Sequence, residues 1–240
     1  MKTDWFTSWF NTKYYHILYK DRNTEEAQLF MRNITRFLQL PEKSHILDLP
    51  CGKGRHSIYL NSLGYKVTGV DLSENSILHA KQFETDDLNF DVFDMRNSIS
   101  NRYDAIFNLF TSFGYFEDDK DEIQVLKNMK NGLGNHGVLV MDFLNVVKVK
   151  NNLVTKEIKI IDGIEFHIER EIKGDFVLKH ISFTDKGEGY SYTEYVKYLD
   201  LKKFESFFAE AGLKIKHIFG DYQLSEFDEK HSDRLIFIAS

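Results

Sequence analysis

The stretch from residue 45 to residue 76 constrains the fold more than any other part of the chain. It opens with a short apolar run ending at Leu49, which is typical of a buried parallel strand. A turn containing Gly52 and Gly54 follows, and apolar residues then recur at helical spacing. A second apolar run ends at Asp71. Because such crossovers are right-handed, both strand ends are expected at one edge of a parallel sheet, where these sheets bind ligands.

Side chains at this edge favour a nucleoside ligand that lacks phosphate. Gly52 and Gly54 let a ligand approach the main chain closely, and Asp71 can accept hydrogen bonds from both hydroxyls of a ribose. A dinucleotide fingerprint requires a third glycine where Ser57 stands. Asp48, at the end of the first strand, also disfavours a pyrophosphate but suits a ligand with sulfonium and ammonium groups.

The segment DLPCGKG at residues 48–54, together with Asp71, resembles the first two motifs of class I S-adenosylmethionine-dependent methyltransferases. Pro50 departs from the family pattern, which frequently has glycine or alanine there. The resemblance extends over about residues 14–145 and 200–239. It implies an α/β fold: a Rossmann-like seven-stranded sheet with a closing antiparallel hairpin and helices on both faces. It also implies S-adenosyl-L-methionine as the cofactor.

The resemblance further implies which residues bind that cofactor. An acid at the position of Asp94 bonds the adenine amino group in this family, and its neighbour, here Met95, packs on the ring. Tyr15 or Arg22 is expected to hold the methionine carboxylate. A simple loop cap is the alternative role for Asp94. The full expected set is Tyr15, Arg22, Asp48, Leu49, Pro50, Gly52, Gly54, Asp71, Leu72, Asp94, Met95, Asn108 and Leu109.

The end of the fourth predicted strand is expected to face the transferable methyl group. Asn108 is followed there by Leu109 and Phe110 rather than by two prolines, so the signature of DNA amino-methyltransferases is missing. The stretch is more similar to small-molecule methyltransferases. The residues expected to bind the acceptor are Phe113, Tyr115 and Asn145. The two aromatic members are equally consistent with core positions.

No residue stands out as a catalytic base, which is required only when the acceptor arrives protonated. The candidates are His16, Tyr115, His167 and Tyr222. No Cys/His cluster has zinc spacing, and the aspartates are too scattered to indicate magnesium, so no metal is expected.

The chain is expected to divide into a methyltransferase domain, residues 1–150 and 199–240, and an insertion, residues 151–198. Residues 1–40 combine an aromatic segment with an amphipathic helix and are expected to form a lid over the cofactor, although the aromatic segment also fits simple core packing. The insertion alternates apolar and polar residues with period two, which predicts about four antiparallel strands. We expect this insertion to cap the substrate side, with a dimerisation sheet as the alternative.

Composition indicates the class of substrate and the cellular compartment to expect. A net charge of −6 and a pI of about 5.9 argue against a nucleic acid substrate. The single cysteine, Cys51, fits a reducing cytoplasm. Neither a signal peptide nor an apolar run of transmembrane length is visible. We therefore expect a cytoplasmic protein that works as a monomer or homodimer.

These features together predict an enzyme that transfers a methyl group to an N or O atom of a small molecule. Three alternatives remain: a methyltransferase of RNA or protein, an NAD-dependent oxidoreductase, and a non-catalytic nucleotide-binding module. Ser57 and Asp48 oppose the NAD alternative. The intact Gly52 and Asp71 oppose a loss of cofactor binding.

Overall fold

A computed structural model describes residues 5–20 and 24–240 of the chain. The strands are β1 (His45–Asp48), β2 (Lys66–Asp71), β3 (Leu88–Val92), β4 (Tyr103–Asn108), β5 (Leu133–Leu144), β6 (Lys156–Ile161), β7 (Ile164–Lys173), β8 (Phe176–Asp185), β9 (Glu188–Lys197), β10 (Ile215–Phe219) and β11 (Arg234–Ala239). The α-helices are α1 (Trp5–Phe10), α2 (Lys13–Leu18), α3 (Thr24–Leu38), α4 (Arg55–Ser62), α5 (Glu74–Ala80), α6 (Asp119–Gly132), α7 (Val146–Asn151) and α8 (Leu201–Ala211). None of the helices in the described ranges is long and apolar enough to cross a membrane.

The main sheet has seven strands in the order β10-β11-β5-β4-β1-β2-β3. Strand β1 pairs in parallel with β2 and β4, whereas β11 is antiparallel to both β5 and β10. The Rossmann-like sheet and the closing antiparallel hairpin predicted from the sequence are therefore confirmed. Because neighbouring parallel strands end at the same edge, the carboxyl ends of β1, β2 and β4 meet there.

Helices cover both faces of the main sheet, as predicted. On one face, α3, α4 and α5 bury apolar side chains that include Phe30, Leu60 and Ile77. On the other face, α6 and α8 bury side chains that include Leu126 and Phe204. Full burial of one such side chain contributes about 1.5–3 kcal/mol. The amphipathic pattern of α3 is thus explained by packing on the sheet. This packing distinguishes the role of α3 from that of the aromatic segment that precedes it.

The insertion forms a second, antiparallel sheet in the order β6-β7-β8-β9, which confirms the predicted strands. The aromatic helices α1 and α2 pack on this sheet, with the rings of Trp9 and Tyr192 only 4.4 Å apart. Glu194 on β9 accepts hydrogen bonds from Trp9 Nε1 and from the Tyr19 hydroxyl, both at 2.7 Å. The N-terminal helices are therefore attached to the insertion by polar as well as apolar contacts.

The start of β5 differs from the prediction. Gly132, Gly134 and Gly137 in the sequence predict a turn followed by a strand from Val138 to Phe143, but β5 begins at Leu133, directly after α6. A Cβ atom on Gly137 would lie 2.7 Å from the Tyr103 carbonyl oxygen. Tyr103 pairs with Leu133 and Ala105 with Val138, so residues 134–137 form a bulge at the start of β5, and Gly137 allows its close approach to β4.

Candidate functional site

The turn after β1 is fixed to β2 by short hydrogen bonds. The Cys51 amide donates to the Val70 carbonyl at 2.8 Å. The two carboxylate oxygens of Asp71 accept from the amides of Gly52 and Ser73, each at 2.8 Å. Because a carboxylate has about four lone-pair sites, Asp71 keeps the capacity to accept further hydrogen bonds from a ligand beside it.

The two glycines of the turn have different roles. Gly52 and Gly54 have φ angles of +56° and +82°, in the region that favours glycine. A Cβ atom on Gly52 would meet nothing within 4 Å, whereas one on Gly54 would lie 2.7 Å from the ring of Phe90. Gly54 is therefore required for packing against Phe90. Of the two, only Gly52 presents an open main chain to a ligand.

Asp48 lies behind the turn. Its side chain is 1% exposed, and the Ser57 hydroxyl donates to it at 2.6 Å. Burial raises the pKa of Asp48 to about 7. Asp48 does not line either of the two cavities beside the turn. It supports the turn from within the protein, and its contact with the cofactor stays a prediction.

A first, narrow cavity lies beside the ends of β1 and β2 and opens to solvent, with about 570 Å³ of empty space including the open part. Phe6, Phe10 and Phe116 give it aromatic walls. The predicted cofactor residues that line it are Leu49, Pro50, Asp71, Leu72, Asp94 and Met95. The structure thus brings together six residues from three separate loops of the chain, in a largely apolar slot with two acids.

Asp94 has the loop-capping role and also lines the first cavity. Its Oδ1 atom accepts from the Arg96 amide at 2.9 Å, and its Oδ2 atom lies 2.6 Å from Arg96 Nη2. Burial opposes ionisation of Asp94, but the Arg96 guanidinium holds the pKa of that carboxyl below its ordinary value. The ionised carboxylate is a suitable acceptor for an amino group in the cavity.

A second cavity, of about 370 Å³, adjoins the first. The residues that line both are Phe10, Pro50, Asp71 and Tyr115. The other predicted site residues that line the second cavity are Tyr15, His16, Gly52 and Leu109. Side chains of α1 and α2 contribute to its walls, so the aromatic segment lies where a lid over the site would have to lie.

The loop at residues 109–116 separates this cavity from the core. Phe110 and Thr111 both have left-handed backbone conformations, with φ of +58° and +61°. Asp142 Oδ2 accepts from the Phe110 amide at 2.7 Å, and Arg234 Nη2 donates to the Thr111 hydroxyl at 2.9 Å. Left-handed non-glycine residues cost about 1–3 kcal/mol each and persist where surrounding contacts hold them. This loop is therefore held in place by groups from β5 and β11.

Two predicted site residues from this part of the chain are buried away from both cavities. Asn108 is fully buried, and its Nδ2 atom donates to the carbonyls of Leu49 and Ser112 at 2.8 and 3.2 Å. Phe113 is 1% exposed and packs on Phe204. Asn108 therefore links β1 to the loop, and Phe113 takes the core position that the sequence left open.

Three further candidates are not brought to the site. Asn145 caps α7, a helix that the sequence did not predict, and lines a separate depression. His167 lies on the insertion sheet, where its Nε2 atom is 2.9 Å from Glu165. The Tyr222 hydroxyl is 3.3 Å from Asp142, and burial raises its pKa far above the ordinary value, so it stays protonated. Their roles toward the acceptor stay predictions.

The residues that line the second cavity but were missed by the sequence prediction are Phe10, Tyr19, Lys20, Cys51, Lys53, Arg55, His56, Ser76, Phe110 and Ser112. Lys53 and Arg55 directly follow Gly52 and Gly54, and His56 is the next residue, so the position of these three beside the motif was an available signal. Phe110 offered none, because its direction depends on a left-handed backbone that no periodicity predicts. Its ring stacks on His56 at 4.5 Å between centroids.

Arg22, the other candidate for the methionine carboxylate, lies outside the described residues. Among residues 5–20 and 24–240, no three His, Cys, Asp or Glu side chains are grouped so that they could hold a metal ion.

The arrangement of the two cavities fits S-adenosylmethionine. Asp71, at the carboxyl end of β2, has carboxylate oxygens of the kind that can accept hydrogen bonds from ribose hydroxyls. The apolar slot beside Met95, with Asp94 at its wall, suits an adenine ring. The open main chain at Gly52 lies in the second cavity, next to this slot, where the methionine portion would extend.

Comparisons with known proteins agree with this fit. Residues 11–150, more than half of the chain, match the family described as tellurite resistance protein TehB. The putative methyltransferase YqeM of Bacillus subtilis (strain 168) is 28% identical over 211 residues, covering 83% of this chain and 85% of that protein. The dTDP-3-amino-3,4,6-trideoxy-alpha-D-glucopyranose N,N-dimethyltransferase of Streptomyces venezuelae is 24% identical over 190 residues, covering 75% and 79%.

A solved structure shows the same fold. An S-adenosylmethionine-dependent methyltransferase from Clostridium acetobutylicum ATCC 824 superposes with a TM-score of 0.80 at 21% identity, covering 95% of each chain. This likeness extends over both sheets, since it includes nearly the whole chain. The chain belongs to the TehB family and is a class I methyltransferase that uses S-adenosylmethionine as its cofactor.

Proposed function

We propose that this methyltransferase transfers the methyl group to a nitrogen or oxygen atom of a small molecule. The second cavity carries this proposal, since it adjoins the first cavity and offers about 370 Å³ of space between the loop at residues 109–116 and helices α1 and α2. Pockets for small molecules typically measure roughly 300–1,000 Å³. The Streptomyces venezuelae relative, an N,N-dimethyltransferase of an amino sugar nucleotide by name, supports nitrogen as one acceptor atom.

The chain contributes binding, orientation and exclusion of water. S-adenosylmethionine supplies a methyl group already activated by its sulfonium. We assign Asp71 to the ribose hydroxyls, Asp94 and Met95 to the adenine, and Tyr15 to the methionine end, because these residues line the two cavities. Correct alignment of two reactants is worth roughly 7–11 kcal/mol of the barrier at best.

Of the four candidate bases, we assign His16 to the removal of a proton from an acceptor that arrives protonated. His16 and Tyr115 line the second cavity, unlike His167 and Tyr222. The Tyr115 hydroxyl donates to the Thr111 carbonyl at 2.5 Å, so its proton is engaged within the loop. An imidazole has the pKa that general-base catalysis near neutral pH requires.

The domain division supports the same proposal. We assign residues 1–150 and 199–240 to the methyltransferase domain and residues 151–198 to a cap. The insertion acts on the site through α1 and α2, which contribute side chains to the cavities, because Glu194 accepts hydrogen bonds at 2.7 Å from Trp9 of α1 and from Tyr19, directly after α2. In this arrangement the insertion holds the lid helices.

Isothermal titration with S-adenosylhomocysteine is the first experiment. We expect micromolar binding by the wild type, strong loss in Asp71→Ala, and no change in Asp91→Ala, a matched variant of an exposed aspartate on β3. Circular dichroism of both variants checks that they are folded. Release of S-adenosylhomocysteine from S-adenosylmethionine is then measured with a panel of small amines and phenols.

Turnover of an amine or phenol in this panel supports the proposed function. Cofactor binding without turnover on any small molecule, combined with methylation of RNA or of a protein substrate, would overturn it.

A further inference from the structure

Strand β6 is an open edge of the insertion sheet. It stands first in the order β6-β7-β8-β9, and within the described residues no strand pairs with its other side. Ile158 and Ile160 on this strand are 60% and 71% exposed, which places them among the most exposed apolar side chains of the described chain. An exposed edge strand with apolar side chains is a template for pairing with another strand.

The pairing of β6 with β7 decides which main-chain groups point to this edge. The Arg170 amide of β7 donates to the Thr155 carbonyl at 2.8 Å, directly before β6 begins. Hydrogen-bonded positions alternate along an antiparallel ladder. The amides and carbonyls of Lys156, Ile158 and Ile160 therefore point away from β7, in the direction from which a further strand would approach.

The charges on β6 alternate so that the strand complements a second copy of itself. Glu157 and Lys159 flank Ile158 and lie on the opposite face of the strand from it. When a second copy of β6 pairs antiparallel with Ile158 opposite Ile158, each Glu157 lies opposite Lys159 of the second copy. Lysines alone on an edge strand oppose such pairing. Here the glutamate between them supplies an opposite charge for Lys159 of each copy.

Other antiparallel registers are unfavourable. A shift of the second strand by two residues brings either Lys159 opposite Lys159 or Glu157 opposite Glu157, and like charges directly opposite each other destabilise a strand pair. A shift by one residue brings the outward-pointing groups against positions whose main-chain groups already bond to β7. The sequence of β6 therefore favours one register, with a two-fold axis at Ile158.

The contacts within one chain are compatible with this pairing. Glu157 Oε2 lies 2.6 Å from Arg170 Nη2, and Glu157 Oε1 lies 3.3 Å from Lys159 Nζ on the same strand. In the pair, the two glutamates and two lysines form one cluster of alternating charge. On the other face, Ile158 contacts its counterpart and Ile160 is a diagonal neighbour of that counterpart, so the exposed isoleucines cover one another.

We propose that β6 is the interface of a homodimer, in which it pairs antiparallel with β6 of a second copy and joins the two insertion sheets into one continuous sheet. The opposite edge stays attached to the methyltransferase domain, since the Lys197 amide of β9 donates to the Gly114 carbonyl at 2.7 Å. One insertion thus holds the lid helices and pairs with a second copy. The inference is independent of the methyl acceptor, because β6, which the structure describes completely, contributes no residue to the two cavities.

The dimer is expected to be weak. Pairing of two strands of this length adds about six main-chain hydrogen bonds and covers only a few side chains, which is a small interface. Its dissociation constant should therefore lie in the micromolar range or above, and the tests have to detect a reversible pair.

Cysteine cross-linking tests the register. Residues opposite each other in a hydrogen-bonded pair have Cα atoms about 5.5 Å apart, which suits a disulfide. We expect Ile158→Cys to form a covalent dimer on oxidation with copper–phenanthroline at least about tenfold faster than Ile160→Cys, whose two copies would lie about 13 Å apart. The single native cysteine, Cys51, is buried and should give little background.

Sedimentation analysis over a range of concentrations measures the pairing without a cross-link. We expect the average mass of the wild type to rise toward twice that of one chain as concentration increases. Lys159→Glu places two acidic side chains opposite each other at both contacts, so this variant should stay monomeric where the wild type pairs. Lys216→Glu is the matched control, since it makes the same charge change at an exposed residue of β10, the edge strand of the main sheet, and should pair as the wild type does.

A mixture of two variants tests the charge pairing itself. Lys159→Glu makes both positions of one copy acidic, and Glu157→Lys makes both positions of the other copy basic. We expect each variant alone to be monomeric and an equimolar mixture to form the dimer. Circular dichroism checks that both are folded, because Glu157 also binds Arg170. If Glu157→Lys does not fold, the comparison of the two cysteine variants and the behaviour of Lys159→Glu decide the question.

Selective cross-linking at residue 158 supports the interface, including when the dimer is too weak to raise the average mass. Equal cross-linking of Ile158→Cys and Ile160→Cys, or none by either, would overturn it. A wild-type dimer that Lys159→Glu leaves intact would also overturn it, because that dimer would use another surface of the chain.

Discussion

Arg234 and Asp142 form an ion pair behind the loop that lines the second cavity, with 2.7 Å between Arg234 Nε and Asp142 Oδ1 and no exposure of the carboxylate. Each partner also holds one of the two left-handed residues of that loop. Asp142 Oδ2 accepts from the Phe110 amide at 2.7 Å, and Arg234 Nη2 donates to the Thr111 hydroxyl at 2.9 Å. This pair supplies the external contacts that hold a backbone conformation unfavourable by itself.

The substitution Asp142→Asn is expected to lower the free energy of unfolding by roughly 3–5 kcal/mol, because it leaves the Arg234 guanidinium buried without its carboxylate. Urea unfolding followed by circular dichroism measures the loss. The matched control is Asp233→Asn, since Asp233 pairs with Lys148 but is 76% exposed, and exposed pairs contribute little. Similar losses in both variants would contradict a special role for the buried pair.

Substitutions of the two glycines of the turn should affect cofactor affinity and stability to different extents. Gly52→Ala places a methyl group in open space, so we expect weaker binding of S-adenosylhomocysteine with a stability loss of about 1–2 kcal/mol from the left-handed backbone. Gly54→Ala brings Cβ to 2.7 Å from Phe90, so we expect a larger stability loss, with roughly 1–3 kcal/mol added by overpacking.

Titration calorimetry and thermal unfolding of both variants check these outcomes. The opposite pattern, with Gly54→Ala stable and deficient in binding, would show that the roles of the two glycines are exchanged.

The position of the predicted cofactor residues at one sheet edge was predictable because it depends on a short local motif. The strand–turn–helix–strand order places Gly52 and Asp71 at one sheet edge, since crossover handedness and parallel pairing leave little freedom. The spacing to Asp94 and Met95 follows from the next parallel strand. The seven-stranded sheet and the second sheet were predictable for similar reasons, from apolar runs and from period-two alternation.

The acceptor side was harder to predict because irregular backbone sets side-chain direction there. Phe110 and Phe113 are three residues apart in one loop, yet Phe110 lines the second cavity and Phe113 packs on Phe204 in the core. The left-handed conformations at residues 110 and 111 decide this, and they depend on Asp142 and Arg234 from distant strands. Asn145 and His167 depend in the same way on tertiary packing that the sequence pattern does not encode locally.

Stability should fall between mildly acidic and neutral pH because of a buried carboxyl beside the same loop. Glu122 is fully buried and accepts from the amides of Phe116 and Gly114 at 2.9 and 3.3 Å. Burial raises its pKa from 4.5 to about 7. Between these values the folded protein binds more protons than the unfolded chain, so the contribution is complete below pH 4.5 and lost as pH rises to about 7.

The loss from Glu122 is on the order of 3 kcal/mol, and Asp48, whose pKa is also raised to about 7, adds to it with the same sign. We expect Glu122→Gln to reduce the fall in unfolding free energy across this pH range without abolishing it. Urea unfolding at a series of pH values measures the slope. Glu117→Gln, at an exposed residue nearby, is the control, and an equal slope in all three proteins would rule out this role for Glu122.

Cofactor binding should alter tryptophan fluorescence, because both tryptophans of the chain, Trp5 and Trp9, lie in α1. The Trp5 ring is 5.4 Å from Tyr115, which lines both cavities, and Trp9 Nε1 donates to Glu194 at 2.7 Å. Hydrogen bonds to charged groups contribute about 1.5–3 kcal/mol. We therefore expect Glu194→Ala to loosen α1, shift the emission of the free protein to longer wavelength, and weaken binding of S-adenosylhomocysteine by up to about tenfold.

Glu188→Ala is the matched variant, since Glu188 lies on the same strand and accepts from Tyr190 at 2.9 Å. Within the described residues, Glu188 forms no hydrogen bond with α1 or α2. Its emission and cofactor affinity should equal those of the wild type. If Glu194→Ala changes the emission but leaves the affinity intact, α1 is attached to the insertion without acting as a lid. If the affinity falls while the emission stays constant, Glu194 acts on the cofactor by a route other than α1.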